Sequence, residues 1–343
     1  MSIALDLGTF RFRSLRRIGE NLLSRQDRAG YCVLPALASY EQLLRNGGVE
    51  FARCDDSLIL MGEGSDDFAA LFQLDFIPVV PNGSIPTNDP LSRQVLAAIV
   101  DAMLPDPVAP GETCYVTPPS GSEHSEERKT TEEFFGRLIR LRGFTPKVMP
   151  AGMAVVLADL VDTGFTGIGM SFGASSCDAV LAWRGVEVAT AHIAKGGNWI
   201  DHTLANESDR YIWSPSGERL LDVEGAAKSK VDFRGSLLEP SARSDQLLAT
   251  LYRDLIATLL QKAARDFSVA PRLNEIRRPI PVVCAGGPTQ IDGFLDLLAS
   301  ALTSVALPVE VNEVRHTASG DFAVARGSLI AAELELQPQR QAA

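Results

Sequence analysis

Apolar and polar residues along the chain follow two periods. Residues 3–5 form a short apolar run that meets Asp6, turns at Leu7 and Gly8, and resumes as Phe10, Arg11, Phe12 and Arg13. Alternation at period two puts the two phenylalanines on one face of a strand and the two arginines on the other. Phe10 and Phe12 are therefore expected in the core, with the arginines facing solvent, an acidic neighbour or a ligand. From residue 32 to 76, runs such as YCVLPAL and SLILMG are separated by the polar turns RNGG and RCDD, which predicts a small strand-rich insertion.

Helical spacing takes over in PLSRQVLAAIVDAML, where Val95, Ala98, Ile99 and Ala102 share a face and Pro105 ends the element. TCYVTPP reads as a buried strand. Residues 125–142 form a charged helix around Phe134, Phe135, Leu138, Ile139 and Leu141, stopped by Gly143. PKVMP is a short strand, and GMAVVLADLV is a helix of small residues that can pack closely. Strand and helix thus alternate, the pattern of an α/β protein.

The second half repeats the opening in outline. FTGIGMSFGASSCDAVLAWRGVEVATAHIAKGG is again strand, glycine turn, strand, turn, strand, and the two hairpins form an internal repeat. Residues 244–267 give the longest amphipathic helix. RPIPVVCAGG is a buried strand ending in two glycines, followed by the helix IDGFLDLLASAL, the strand LPVEVNEV and a closing helix of small residues, SGDFAVARGSLIAAEL. The tail QPQRQAA is expected to fray. The methionines and the apolar stripe of the long helix read as core.

Length and composition refine this picture. A chain of 343 residues exceeds what one core usually organises, so two lobes are expected. With 45% hydrophobic and 22% charged residues, and no long uncharged apolar window, it reads as soluble and globular. A net charge of −11 argues against a nucleic-acid partner, which needs clustered Lys and Arg. Cys32, Cys54, Cys114, Cys177 and Cys284 show neither C-x-x-C pairs nor ligand-spaced histidines, which fits reduced thiols in a cytoplasm. The start has no signal-peptide pattern. His124, His192, His202 and His316 show no partner spacing and are expected on the surface or in turns. Trp183, Trp199 and Trp213 suit either burial or an interface.

Three glycine turns end strands, at residues 6–9, 171–176 and 285–287. Such turns align several backbone N–H groups toward an anion, although in hairpins they more often serve the turn alone. Their order and spacing are informative. IALDLGT resembles the first phosphate motif of the actin superfamily, and GIGMSFGASSCDAVLAWRGVEVATAHIAKGGNWIDHTLA resembles the second. PVVCAGGPTQIDGFLDLL resembles the adenosine motif, and LPVEV and AVARGSLIAAE match the segments downstream of that motif in the bacterial MreB branch. The resemblance covers nearly the whole chain.

It implies an α/β, two-lobed actin-like (ribonuclease H-like) fold, each lobe a mixed sheet flanked by helices, with ATP or ADP and Mg²⁺ in the cleft. The first lobe would comprise residues 1–150, with the insertion at about 32–80 and a closing helix at about 318–336. The second would comprise residues 151–317, with a small helical insertion at about 203–240. On the same basis the nucleotide-binding positions are Asp6, Gly8, Thr9, Arg13, Ser171, Gly173, Ala174, Ser175, Glu224, Lys228, Gly286 and Gly287, with Asp6 facing the metal. Arg13, seven residues beyond Asp6, falls where actin has a phosphate-contacting lysine. Glu224 and Lys228 also suit an ordinary surface ion pair.

The chain departs from the family at several of these positions. Ser171 stands where the second motif opens with an Asp, and Gly173, Ala174, Ser175 and Ser176 stand for G-G-G-T. Pro150 or Ala151 replaces the glutamate that orients the attacking water in MreB. No catalytic residue is therefore assigned, and hydrolysis is expected to be weak or absent.

The family implies a cytoplasmic filament former or scaffold in cell shape, self-associating and meeting other cytoskeletal or envelope proteins. Peripheral membrane contact is left open, because the first strand begins without a preceding amphipathic helix. The alternatives are a regulatory or interaction module that does not polymerise, and a small-molecule kinase.

Overall fold

The continuous apolar run at the start forms β1 (Ile3–Leu7), buried along its whole length. The computed structural model describes residues 2–341 apart from residues 73, 123, 215 and 216. The chain divides into two compact units, Met1–Met149 with Ala331–Ala343, and Pro150–Ile330.

In the first unit β1 pairs antiparallel with β2 (Arg11–Ile18), which pairs antiparallel with β3 (Asn21–Arg28). A small antiparallel sheet follows, built from β4 (Gly30–Pro35), β5 (Phe51–Cys54), β6 (Ser57–Met61) and β7 (Ile77–Pro78) in the order β5-β6-β4-β7. The insertion predicted as strand-rich thus contains a sheet. It also holds two helices, α1 (Ala38–Asn46) and α2 (Glu63–Phe72), and its core is Cys32, Leu34, Leu44, Leu58 and Leu60.

The helix α3 (Pro90–Met103) is capped by Asp89, whose carboxylate accepts from Ser92 N, and it buries Val95, Leu96, Ile99 and Val100. Strands β8 (Glu112–Thr117) and β9 (Phe144–Val148), separated by α4 (Ser125–Leu141), complete the main sheet in the order β3-β2-β1-β8-β9, with β8 and β9 parallel to β1.

The second unit repeats that order. The helix α5 (Ala151–Asp159) is followed by β10 (Gly167–Phe172), β11 (Cys177–Trp183) and β12 (Val186–Ile193), an antiparallel meander. Then come α6 (Gly197–Glu207), the hairpin β13 (Tyr211–Trp213) and β14 (Arg219–Leu221), α7 (Val223–Val231) and α8 (Arg243–Ser268). The stretch predicted as a helical insertion therefore holds a hairpin as well as a helix. Strand β15 (Ile280–Ala285), helix α9 (Phe294–Ser304), strand β16 (Val311–His316) and helix α10 (Ala323–Gln341) close the chain. The sheet order is β12-β11-β10-β15-β16, with β15 parallel to β10 and β16 parallel to β15.

The long helix α8 buries Leu248, Leu251, Tyr252, Leu255, Ile256, Leu259, Leu260, Ala263 and Phe267 at helical spacing against one face of this sheet. On the other face α5 approaches through its small residues. A Cβ on Gly152 would stand 2.7 Å from Gly169 O, and one on Gly327 of α10 only 1.7 Å from Ala154 O. Glycines thus let α5 lie backbone against backbone between β10 and α10. The backbone of α10 stays helical to Gln341 where fraying was expected; residues 342 and 343 lie outside the described residues.

Candidate functional site

In the first unit β1 runs through Gly8 and Thr9 into β2. A Cβ on Gly8 would meet Arg11 O at 2.9 Å, so the turn is tight enough to favour glycine. Asp6 lies directly opposite Arg13 in the ladder, with Oδ2 3.7 Å from Nη1 and both side chains largely buried. Burial pushes the Asp6 carboxyl up to about 6 against the opposing pull of the guanidinium. Arg11 pairs with Glu63 at 2.6 Å. Both arginines of the opening strand thus have acidic partners within their own unit.

Phe10 departs from the alternation. It is 52% exposed, while Phe12 is fully buried. The strand begins only at Arg11, so Phe10 still belongs to the turn, where its carbonyl accepts from Ala29 N and Arg28 Nη1 and its ring lies 3.6 Å from the Arg28 guanidinium.

In the second unit the turn after β10 closes with Gly173 N donating to Ser176 O at 2.9 Å. It rests on the N-terminus of α6, where Gly197 N donates to Gly173 O and Asn198 N to Ala174 O, at 2.9 and 2.8 Å. A Cβ on Gly196 would be 2.4 Å from Gly173 O, so glycine is needed for the two loops to touch. Gly286 has φ +112°, and a Cβ there would be 2.0 Å from Phe172 O. A Cβ on Gly287, by contrast, would meet nothing within 4 Å. Ser171, Gly173, Ala174, Gly286 and Gly287 therefore converge at one end of the sheet, and Gly287 presents an open backbone face. Ser175 lies in the same turn.

Glu224 and Lys228 are exposed on α7. That helix is fixed to α6 by Lys230, whose Nζ stands 2.6 Å from Asp201 Oδ1 and donates to Gly197 O at 3.1 Å. Burial raises the Asp201 carboxyl while Lys230 pulls it down.

His192 is only 7% exposed, which corrects the surface or turn role expected for it. Its Nδ1 lies 2.8 Å from Asp178 Oδ1, and its buried Nε2 has no hydrogen-bond partner among the described residues. The register puts Ser171 opposite Asp178 and Asp178 opposite His192, so the three side chains form a row on the face that α5 covers. Because Asp178 sits between them, the imidazole does not reach Ser171, and the row is not a serine-nucleophile triad. Neither partnership has a local sequence signature. Asp178 and His192 are 14 residues apart, and Asp201 and Lys230 are joined only by the packing of α6 on α7.

Ser171 is uncharged, Asp6 lies beside Arg13, and among the described residues no group of three His, Cys, Asp or Glu side chains could hold a metal by itself.

Comparison with known proteins places this geometry in context. A family profile described as Volactin matches residues 1–332. No curated protein matches the sequence. The chain is similar to a structure of the MamK double helical filament, with 17% identity, TM-score 0.65 and coverage of 97% of this chain and 99% of that one. It is also similar to MreB5 of Spiroplasma citri bound to AMPPNP, with 14% identity, TM-score 0.66 and coverage of 100% and 98%. The ADP-bound form of MreB5 gives 16%, 0.63, 99% and 98%. The fold is therefore actin-like and close to that of MreB.

Proposed function

The chain belongs to the Volactin family, and on the strength of its two glycine turns we propose that it is a cytoplasmic actin homologue that binds ATP or ADP and assembles into filaments. The observation that carries this reading is the open backbone face of Gly287 beside the converged turn of Ser171, Gly173 and Ala174. A planar base can lie against backbone that bears no side chain, and the turn's own amides suit phosphate oxygens. Similarity to a filament and to nucleotide-bound structures supports the same reading. Hydrolysis is slow or absent, since Ser171 supplies no charged metal contact and neither Pro150 nor Ala151 supplies a base to orient water. The physiological role is that of a scaffold in cell shape or cytoskeletal organisation.

Electron microscopy of the purified chain with and without ATP tests this. Filaments whose abundance depends on nucleotide are expected, and monodisperse protein under both conditions would contradict assembly. A second reading, an interaction module without nucleotide, is favoured by Ala174 and Ser175 in place of glycines and by the α6 amides already bonded to the turn. It predicts no thermal shift with ATP. No helix among the described residues is long and apolar enough to cross a membrane.

A further inference from the structure

At the end of the second unit's sheet opposite the glycine turns, where β10 and β15 begin and β11 ends, a cleft of about 500 Å³ opens. It lies between Asp162, Thr163, Thr166, Trp183, Arg184 and Arg278, all within that unit. Its size is that of a small-molecule site, which joins an apolar wall to a few convergent polar groups.

The walls are held by the protein's own bonds. Arg184 and Gly185 form the two-residue turn between β11 and β12, with φ +53° and +75°. Gly185 N donates to Phe165 O at 2.9 Å, and Arg184 N donates to Thr166 Oγ1 at 3.0 Å. Thr163 Oγ1 donates to Thr166 O at 2.7 Å. Left-handed backbone in such a turn favours glycine, asparagine or aspartate over arginine, so the turn alone does not account for Arg184. Its side chain lies over Trp183, with the guanidinium carbon 5.3 Å from the ring centre.

The charges around the cleft are unequal. Asp162 is engaged by Arg315, whose Nη2 stands 3.2 and 3.1 Å from its two carboxylate oxygens. Glu275, three residues before Arg278, is held by Arg272 through two bonds of 2.9 Å. Arg278 Nη2 donates to Thr163 O at 3.3 Å, which uses one of the five N–H groups of a guanidinium. Among the described residues neither Arg184 nor Arg278 forms an ion pair. A chain of net charge −11 thus keeps two cations without carboxylate partners beside an aromatic ring.

We propose that this cleft binds a small organic anion with a flat apolar body, the two guanidinium groups taking its carboxylate or phosphate and Trp183 its body. The site is separate from the nucleotide reading and does not depend on it.

Titration of the full chain with phenyl phosphate, benzoate, inorganic phosphate and phenol, followed by tryptophan fluorescence and calorimetry, tests it. Phenyl phosphate or benzoate is expected to saturate with a dissociation constant of about 1 mM or tighter, at least about tenfold below those of inorganic phosphate and phenol. The tighter of the two aromatic anions distinguishes a phosphate from a carboxylate ligand. No saturation by either, or equal affinity for inorganic phosphate, would overturn the proposal.

Two variants locate the site. Arg184→Asn suits the left-handed turn, and Arg278 is exposed, so Arg184→Asn and Arg278→Gln should both keep the parent's melting curve. Each is expected to weaken the tighter aromatic anion by about tenfold and to leave titration with ATP as in the parent. Aromatic-anion binding unchanged in both variants would place it elsewhere and overturn the assignment. If the variants abolish self-association and the parent binds no aromatic anion, the cleft is a contact between copies of this chain and the proposal fails.

Discussion

Arg13 stands opposite Asp6 in the β1–β2 ladder with its Nη1 3.7 Å from Oδ2, and burial of that carboxyl outweighs the pull of the guanidinium. The carboxyl is pushed from 3.8 to about 6. Folding therefore disfavours the ionised form relative to the unfolded chain. The stability linked to this group is full below the unfolded value and is lost as pH rises through the folded one. Replacing Asp6 by Asn removes the titration. At about pH 8, Asp6→Asn is expected to be more stable than the parent by about 1–3 kcal/mol, with the difference gone below about pH 4. Urea unfolding at the two pH values measures this, and a less stable variant at the higher pH would refute it.

A different outcome is expected at Arg16 and Glu112, both 4% exposed and 2.7 Å apart. Glu112 Oε2 also accepts from Val108 N at 2.8 Å, so the carboxylate ties β2 and β8 to the loop before β8. Glu112→Ala leaves a buried guanidinium uncompensated and is expected to cost about 3–5 kcal/mol in chemical denaturation. The double change Arg16→Met with Glu112→Leu should recover most of the loss. If the single change costs nothing, the pair is not a structural tie.

The crossing of α5 on β10 depends on bare backbone. Gly169→Ala would place a Cβ 2.1 Å from Gly152 O, and it is expected to lower stability by about 1–3 kcal/mol through forced displacement of the helix. Gly287→Ala, where nothing lies within 4 Å, serves as the control and should stay within about 0.5 kcal/mol of the parent. Equal effects at the two positions would contradict the close packing.

These partnerships show what could be read from sequence. Local periodicity disclosed the apolar face of α8 from Leu248 to Phe267 and the paired hairpins that became the two meanders. The small residues of α5 pointed to close packing, whereas Gly286, read only as a nucleotide-facing position, packs against the backbone of Phe172. Periodicity says which way a side chain faces but not what it meets. The pairing of His192 with Asp178 needs the β11–β12 register, and that of Arg16 with Glu112 spans 96 residues. Phe10 was misplaced because a strand's alternation was extended one residue into the turn that Gly8 creates.

Ala151 opens α5 after the N-cap Pro150, and one of the two stands where the resemblance expects a glutamate. Ala151→Glu should restore a water-orienting carboxylate and raise ATP hydrolysis by about tenfold or more over the parent, as read by phosphate release. A parent chain that already hydrolyses steadily, with no gain in the variant, would show that another group does this work.

Gly287 offers the most direct test of nucleotide binding, because its replacement separates recognition from folding. Calorimetric titration of ATP into the parent and into Gly287→Leu, both with unchanged melting curves, should give saturable binding for the parent and at least about a tenfold weaker affinity for the variant. No binding by the parent, or equal binding by both, would contradict the account.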